Sequence, residues 1–246
     1  MERQIEICTG SYYDCVQAHL GGAKRVELNS ALHLGGLTPS VASLKLTKQN
    51  TDLKVITMVR PRGAGFCYNK EDFETMLMDV DLMLEHGADG IAFGCLNEDG
   101  TIHFEQTKQI VDKIKAKGKE AVFHRAFDCV KDPYVALELL IDLGVDRILT
   151  SGLQPKAMQG IELIKDLQSK YGDKIEILAG SGMNASNAKK MMDDTGISQV
   201  HSSCKDWIKD STTHINKVSF SYLGNEHVLD YEVVSKDLVK KLVESI

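Results

Sequence analysis

Short runs that are apolar or alternate apolar with polar residues recur along this chain, and each is followed by a stretch with helical spacing. The strand candidates are 4–8, 24–29, 54–59, 89–94, 120–124, 147–150, 176–179 and 199–202. Their starts lie 20, 30, 35, 31, 27, 29 and 23 residues apart, which suits a β-α unit of about 30 residues. Eight strands alternating with helices predict a parallel sheet, and eight is the number that closes a barrel. The expected fold is an α/β chain of the (β/α)8 TIM-type barrel class. A doubly wound open sheet is the alternative, since eight β-α units do not by themselves prove closure.

Punctuation between the elements agrees. Leu20-Gly21-Gly22-Ala23, His86-Gly87-Ala88-Asp89, Leu143-Gly144-Val145-Asp146 and Thr195-Gly196-Ile197-Ser198 each put Gly where a helix should hand over to a strand. Asp132-Pro133 combines an N-cap with Pro at the first helical position. The tail departs from the repeat. Residues 205–229 read as a polar insertion, with a short extra strand over 218–223, and 230–245 read as the delayed last helix. Its apolar stripe would be Val233, Val234, Leu238, Leu242 and Val243. No linker or shift in composition divides residues 1–246, so a single domain is expected.

Composition narrows the function classes. The chain has 246 residues, 43% hydrophobic and 26% charged, enough to bury a large core. Aromatics at 6% and four prolines argue against an all-β sandwich and against disorder. A net charge of −6 offers no footprint for nucleic acid or an anionic membrane. No run approaches the ~18 apolar residues that span a bilayer. The first apolar segment is too short for a secretory core, and six cysteines lack any CxxC pair. Free thiols in a reducing cytoplasm are the expectation. Self-association stays open.

In a barrel, chemistry sits at the C-terminal strand ends. Strands buried on both faces should be apolar, so a charge inside one must face the lumen. Glu6 lies between Ile5 and Ile7, and Glu27 between Val26 and Leu28. Alternation turns both carboxylates inward, where neighbouring strands would bring them about 5 Å apart. Arg60 ends the third strand and Arg62 follows in a glycine-rich loop; both are candidate clamps for a carboxylate or phosphate, although Arg60 could instead neutralise Glu27. The fifth strand runs into His124, Arg125 and Asp128, a natural acid/base with two partners of opposite charge. Asp128 would orient either His124 or Arg125. The last strands end in small residues, Ser151, then Gly180 and Gly182, then Ser202, which suit an anion-binding rim. His201, beside Val200, also points to the lumen. Cys8 shares a face with Glu6, and Cys67 lies in the third loop. Thiolates near a histidine suit Cu(I).

Taken in order, several segments resemble the CutC family, named for copper homeostasis. They are Glu6-Ile7-Cys8, Arg25-Val26-Glu27-Leu28, Gly35-Gly36-Leu37-Thr38-Pro39-Ser40, Arg60-Pro61-Arg62-Gly63 and Phe66-Cys67-Tyr68. Gly87-Ala88-Asp89-Gly90, Phe123-His124-Arg125-Ala126-Phe127-Asp128 and Val145-Asp146-Arg147-Ile148-Leu149-Thr150-Ser151-Gly152 complete the set, which covers roughly 4–204. The resemblance implies a TIM-type barrel, a cytoplasmic protein and a role in copper homeostasis. It also implies a cysteine after Glu-Leu on the second strand, where this chain has Asn29.

Two functions compete. The first is copper binding, with Cys8, Cys67, His124 and His201 as ligands of Cu(I). The second is an enzyme acting on a small anionic metabolite, phosphorylated ones included. There Glu6, Glu27 and His124 or His201 would handle protons, and Arg60, Arg62 and the Gly180/Gly182 loop would hold the anion. No reaction can be named from the residues. Convergence of Glu6, Glu27, Arg60, His124 and His201 within about 8 Å would mark a pocket.

Overall fold

Eight parallel strands follow one another in chain order around a closed barrel, and the last pairs with the first. They are β1 (Gln4–Thr9), β2 (Arg25–Leu28), β3 (Lys54–Met58), β4 (Gly90–Phe93), β5 (Glu120–Phe123), β6 (Arg147–Thr150), β7 (Glu176–Ala179) and β8 (Gln199–Ser202). This computed structural model describes residues 3–246. Closure excludes the open sheet, and the fold is the (β/α)8 barrel. The helices are α1 (Tyr12–Leu20), α2 (Val41–Asn50), α3 (Lys70–Glu85), α4 (Phe104–Ala116), α5 (Pro133–Asp142), α6 (Ile161–Tyr171), α7 (Ala188–Thr195) and α8 (Lys236–Glu244).

Outward-facing strand residues build the main core against these helices. Ile7, Val26, Val55, Ile91, Ile148 and Val200 are each fully buried, worth roughly 1.5–3 kcal/mol apiece in water removed. The four helix-to-strand glycines Gly22, Gly87, Gly144 and Gly196 all take φ between +79° and +98°, the left-handed turn that only glycine adopts without strain. Asp132 caps α5 through the amides of Tyr134 and Val135, with Pro133 at its first turn.

Inside the barrel the two sides differ. Ile56, Met58, Ala92 and Val122 form a small apolar cluster from β3, β4 and β5. Strands β1, β2, β6 and β8 instead point polar and charged side chains inward, and these create the site.

The tail corrects two expectations. Residues 230–234 are strand, not helix: β12 (Asp230–Val234) pairs antiparallel with β9 (Lys205–Lys209). Val233 and Val234 are β-branched, and their apolarity serves this ribbon rather than a helical stripe. The helix begins at Lys236, and its buried side chains are Val239 and Leu242, whereas Leu238 is 39% exposed. The extra strand expected over 218–223 is shorter, β11 (Val218–Ser219), and forms a hairpin with β10 (His214–Ile215). The ribbon is tied to the barrel by the Val234 amide donating to Asp14 Oδ1 at 2.8 Å. Among the described residues, no helix is long and apolar enough to cross a membrane.

Candidate functional site

The polar lumen has two levels, set by the stagger of neighbouring strands. Glu6 pairs in register with Arg25 and His201, while Glu27 pairs with Cys8. Barrel shear thus lifts Glu27 one layer above Glu6, which corrects the expectation that the two carboxylates face each other across the ladder.

The lower level is a closed ion-pair floor. Arg25 Nε lies 2.6 Å from Glu6 Oε2, and its Nη atoms donate to Gln4 and Gln199. Arg147 donates to Glu176 at 2.7 Å and Glu120 at 3.1 Å, and stands 4.0 Å from Glu6; Lys54 also pairs with Glu120. Arg25 and Arg147 are each 1% exposed. Burial alone would raise the Glu6 carboxyl. Arg25, the His201 hydrogen bond and Arg147 overcome that and hold it down to about 2. Neither arginine stood out in the sequence as a lumen residue, because each begins its strand, where a charge reads as solvent-facing.

Above the floor the pairing is incomplete. His201 Nδ1 sits 2.9 Å from Glu6 Oε1, leaving Nε2 turned to the mouth, 4.0 Å from Glu27 Oε2. Cys8 Sγ is 3.9 Å from that same oxygen, and Asn29 Nδ2 donates to it at 3.0 Å. Cys8, Glu27 and His201 present donor atoms all within 4.8 Å of one another. Burial lowers the tendency of His201 to hold a proton, but its hydrogen bonds to Cys8 and Glu6 and the Glu27 charge outweigh it and keep the ring protonated well above the usual histidine range. Burial pushes both the Cys8 thiol and the Glu27 carboxyl up.

His124 completes the opposite wall. It lies one residue past β5, and its Nδ1 accepts from the Ala126 amide at 3.1 Å. The ring proton is therefore on Nε2, which is buried without a partner. Burial and then the Arg60 charge hold this imidazole down to about 3, so it is neutral. Space for the ring exists because residue 94 is glycine: a Cβ there would stand 2.6 Å from His124 Cε1. Arg60 clasps two loops, its Nη atoms donating to the carbonyls of Leu34 and Gly36 at 2.9 Å and of Ala64 at 2.5 Å. It makes no pair with Glu27. Phe66 packs against both, 5.0 Å from the His124 ring and 5.1 Å from the Arg60 guanidinium. Together with Met58 and Leu149 these groups enclose a cavity of about 120 Å³.

Glu27, Arg60, His124, His201 and Cys8 thus line one cavity, with Glu6 beneath it holding His201. Arg125 also lines the cavity, but it is held by Asp128 at 2.7 Å and Ser151 at 2.8 Å. Asp128 orients Arg125 and the loop after β6, where it accepts from Thr150 and the Ser151 amide; it does not orient His124. Gly180 backs the site by leaving room for Leu149 and His201. The remaining candidates face elsewhere. Arg62 spends its donors on Asp72 and the carbonyls of Gly63, Gly65 and Cys67. Ser202 donates to the Met183 carbonyl. Gly182 lies over Lys156, and Cys67 is exposed. Arg62, Ser151, Gly182, Ser202 and Cys67 therefore do not reach the cavity. Gly35, Met58, Phe66 and Leu149, which do, went unmarked as site residues because only the folded barrel brings them to the cavity, and Asn29, noted only as a departure from the family pattern, lines it too.

Comparison with known proteins places this geometry in a family. The family model described as CutC family matches residues 3–206. A family protein CutC from Treponema denticola is 44% identical over 99% of this chain and 98% of its own. The human relative named copper homeostasis protein cutC homolog is 36% identical over 96% of this chain and 85% of its own. The crystal structure of the CutC protein of Streptococcus agalactiae superposes with a TM-score of 0.77 at 30% identity, covering 82% of this chain and 98% of that one. An aldolase for 2-keto-3-deoxy-6-phosphogluconate from Zymomonas mobilis, at 13% identity and a TM-score of 0.56, shares the barrel fold alone.

Proposed function

The chain belongs to the CutC family, and on that premise we propose that it serves copper homeostasis by holding one Cu(I) ion, as cargo, at Cys8 and His201 with Glu27 beside them. The observation that carries this reading is the convergence of the three donor atoms within 4.8 Å. Metal bonds to thiolate and imidazole run to about 2.0–2.3 Å, so the two donors fit around one ion. Thiolate and imidazole suit Cu(I), and Glu27 Oε2, 3.9 Å from Cys8 Sγ and 4.0 Å from His201 Nε2, offers negative charge nearby. Glu6 on His201 Nδ1 fixes the ring with Nε2 free, the carboxylate–histidine arrangement that orients metal ligands.

Ion capture on this reading removes protons from the Cys8 thiol and from His201 Nε2, so affinity rises with pH. All six cysteines are free, which supports a reducing compartment, the cytoplasm. The test is a titration of reduced protein with Cu(I) against a chromophoric chelator. One ion per chain is expected, abolished by Cys8→Ser and by His201→Gln and untouched by Cys67→Ser. Loss of binding in Cys67→Ser, with Cys8→Ser unaffected, would overturn the assignment.

A further inference from the structure

The metal reading leaves part of the mouth unused. His124 Nε2 carries a proton, is buried and donates to nothing; Glu27 Oε1 is buried and accepts from nothing. Leaving one such group bare costs about 1–3 kcal/mol, so a pair lining one cavity points to a missing polar partner. Arg60 adds a third element. It is 5% exposed, its hydrogen bonds go to neutral carbonyls, and among the described residues no carboxylate pairs with it. A buried cation without a counter-charge favours an anion.

The remaining walls are carbon: Met58, Phe66 and Leu149. A cavity of about 120 Å³ equals the liquid share of roughly four waters, room for on the order of six non-hydrogen atoms. Inorganic phosphate would leave the apolar walls unmatched and offer Glu27 a second negative charge.

We infer that this mouth binds a small 2-hydroxycarboxylate. Its carboxylate lies against the His124 Nε2–H and the Arg60 charge, its hydroxyl donates to Glu27 Oε1, and its short carbon chain packs on Met58, Phe66 and Leu149. Glu27 borders both sites, through Oε2 on the metal side and Oε1 on this one, but His124 and Arg60 take no part in holding the ion, so the acid can bind without copper.

The test is saturation-transfer NMR with glycolate, lactate, glycerate and inorganic phosphate, on protein stripped of metal and kept with a Cu(I) chelator. At least one hydroxycarboxylate is expected to bind with Kd below about 1 mM. His124→Phe should weaken it about tenfold or more, and His124→Asn, which restores a side-chain N–H, should recover part of that loss. Cys67→Ser, at an exposed side chain outside the cavity lining, should leave it unchanged. Absence of binding at about 10 mM, equal binding by His124→Phe, or preference for phosphate would each overturn the inference. Cu(I) titration without added acids reads the metal site separately, so either reading can fail alone.

Discussion

The floor and the mouth of this lumen are built from the same residue types and are accounted for in opposite ways. On the floor, Arg25 and Arg147 are surrounded by Glu6, Glu120, Glu176 and two glutamines, and each charge meets an opposite one. At the mouth, Glu27 Oε1 accepts from nothing, Arg60 donates only to neutral carbonyls, and His124 keeps a donor with no acceptor. Paired burial is scaffolding, while unpaired burial is tolerated only where something else completes it. Glu6 joins the two levels, with one oxygen on Arg25 and the other on His201.

The sharpest contrast comes from one isosteric substitution made at each level. Glu6→Gln removes the charge that balances Arg25 and His201, and breaking a buried pair in this way costs about 3–5 kcal/mol. Glu27→Gln removes a carboxyl that burial pushes up and that stands 4.0 Å from His201 Nε2, farther than Glu6 is from Arg25 or His201, and it should leave stability within about 1 kcal/mol of the parent. Urea unfolding of both variants at neutral pH decides the matter. Equal losses would erase the distinction between floor and mouth.

Acid titration separates the levels in a second way. His124 has its folded pKa depressed to about 3 from 6.5, so its contribution is present above 6.5 and declines as pH falls toward about 3. Glu6, lowered to about 2 from 4.5, contributes in the same sense, but its loss begins only near 4.5. His201, raised well above 6.5, contributes stability that is already complete below 6.5 and is lost as pH rises through its folded value. Between pH 6.5 and 4.5, His124 is therefore the only one of these three that changes, by about 1.4 kcal/mol per pH unit. His124→Gln should flatten the unfolding free energy across that window by this slope. An unaltered slope would show that His124 is protonated in the folded chain.

Much of the barrel was legible because period-2 burial and repeated helix-stop glycines are local signals; three of the eight strand ranges, those of β6, β7 and β8, matched to the residue. The same locality explains the misses. Val233 and Val234 fit a helical stripe as well as a ribbon, and only pairing with Lys205 and Asp206 decides between them. Inward orientation of Glu6 and Glu27 followed from their apolar neighbours, whereas the layer each occupies depends on shear, a property of the closed ring. Arg62 looked like a ligand clamp, but its own loop supplies an aspartate and three carbonyls that consume its donors.

Asn29 carries the smallest stability effect and the finest test of what the mouth is for. Its Nδ2 donates to Glu27 Oε2 at 3.0 Å, while its Oδ1 is buried without a partner and faces Gly36, where φ is +86° and a Cβ would stand 2.4 Å away. Asn29→Cys loses the hydrogen bond but also removes the bare carbonyl. The two changes are each about 1 kcal/mol and of opposite sign, so the urea midpoint should barely move. Cu(I) binding should respond much more. A second thiolate beside Cys8, whose Sγ lies 3.7 Å from Asn29 Nδ2, replaces an amide that cannot serve a soft ion, and affinity should rise about tenfold or more. A variant that is equally stable and binds Cu(I) no better would place the ion away from this wall and leave the mouth to its organic ligand.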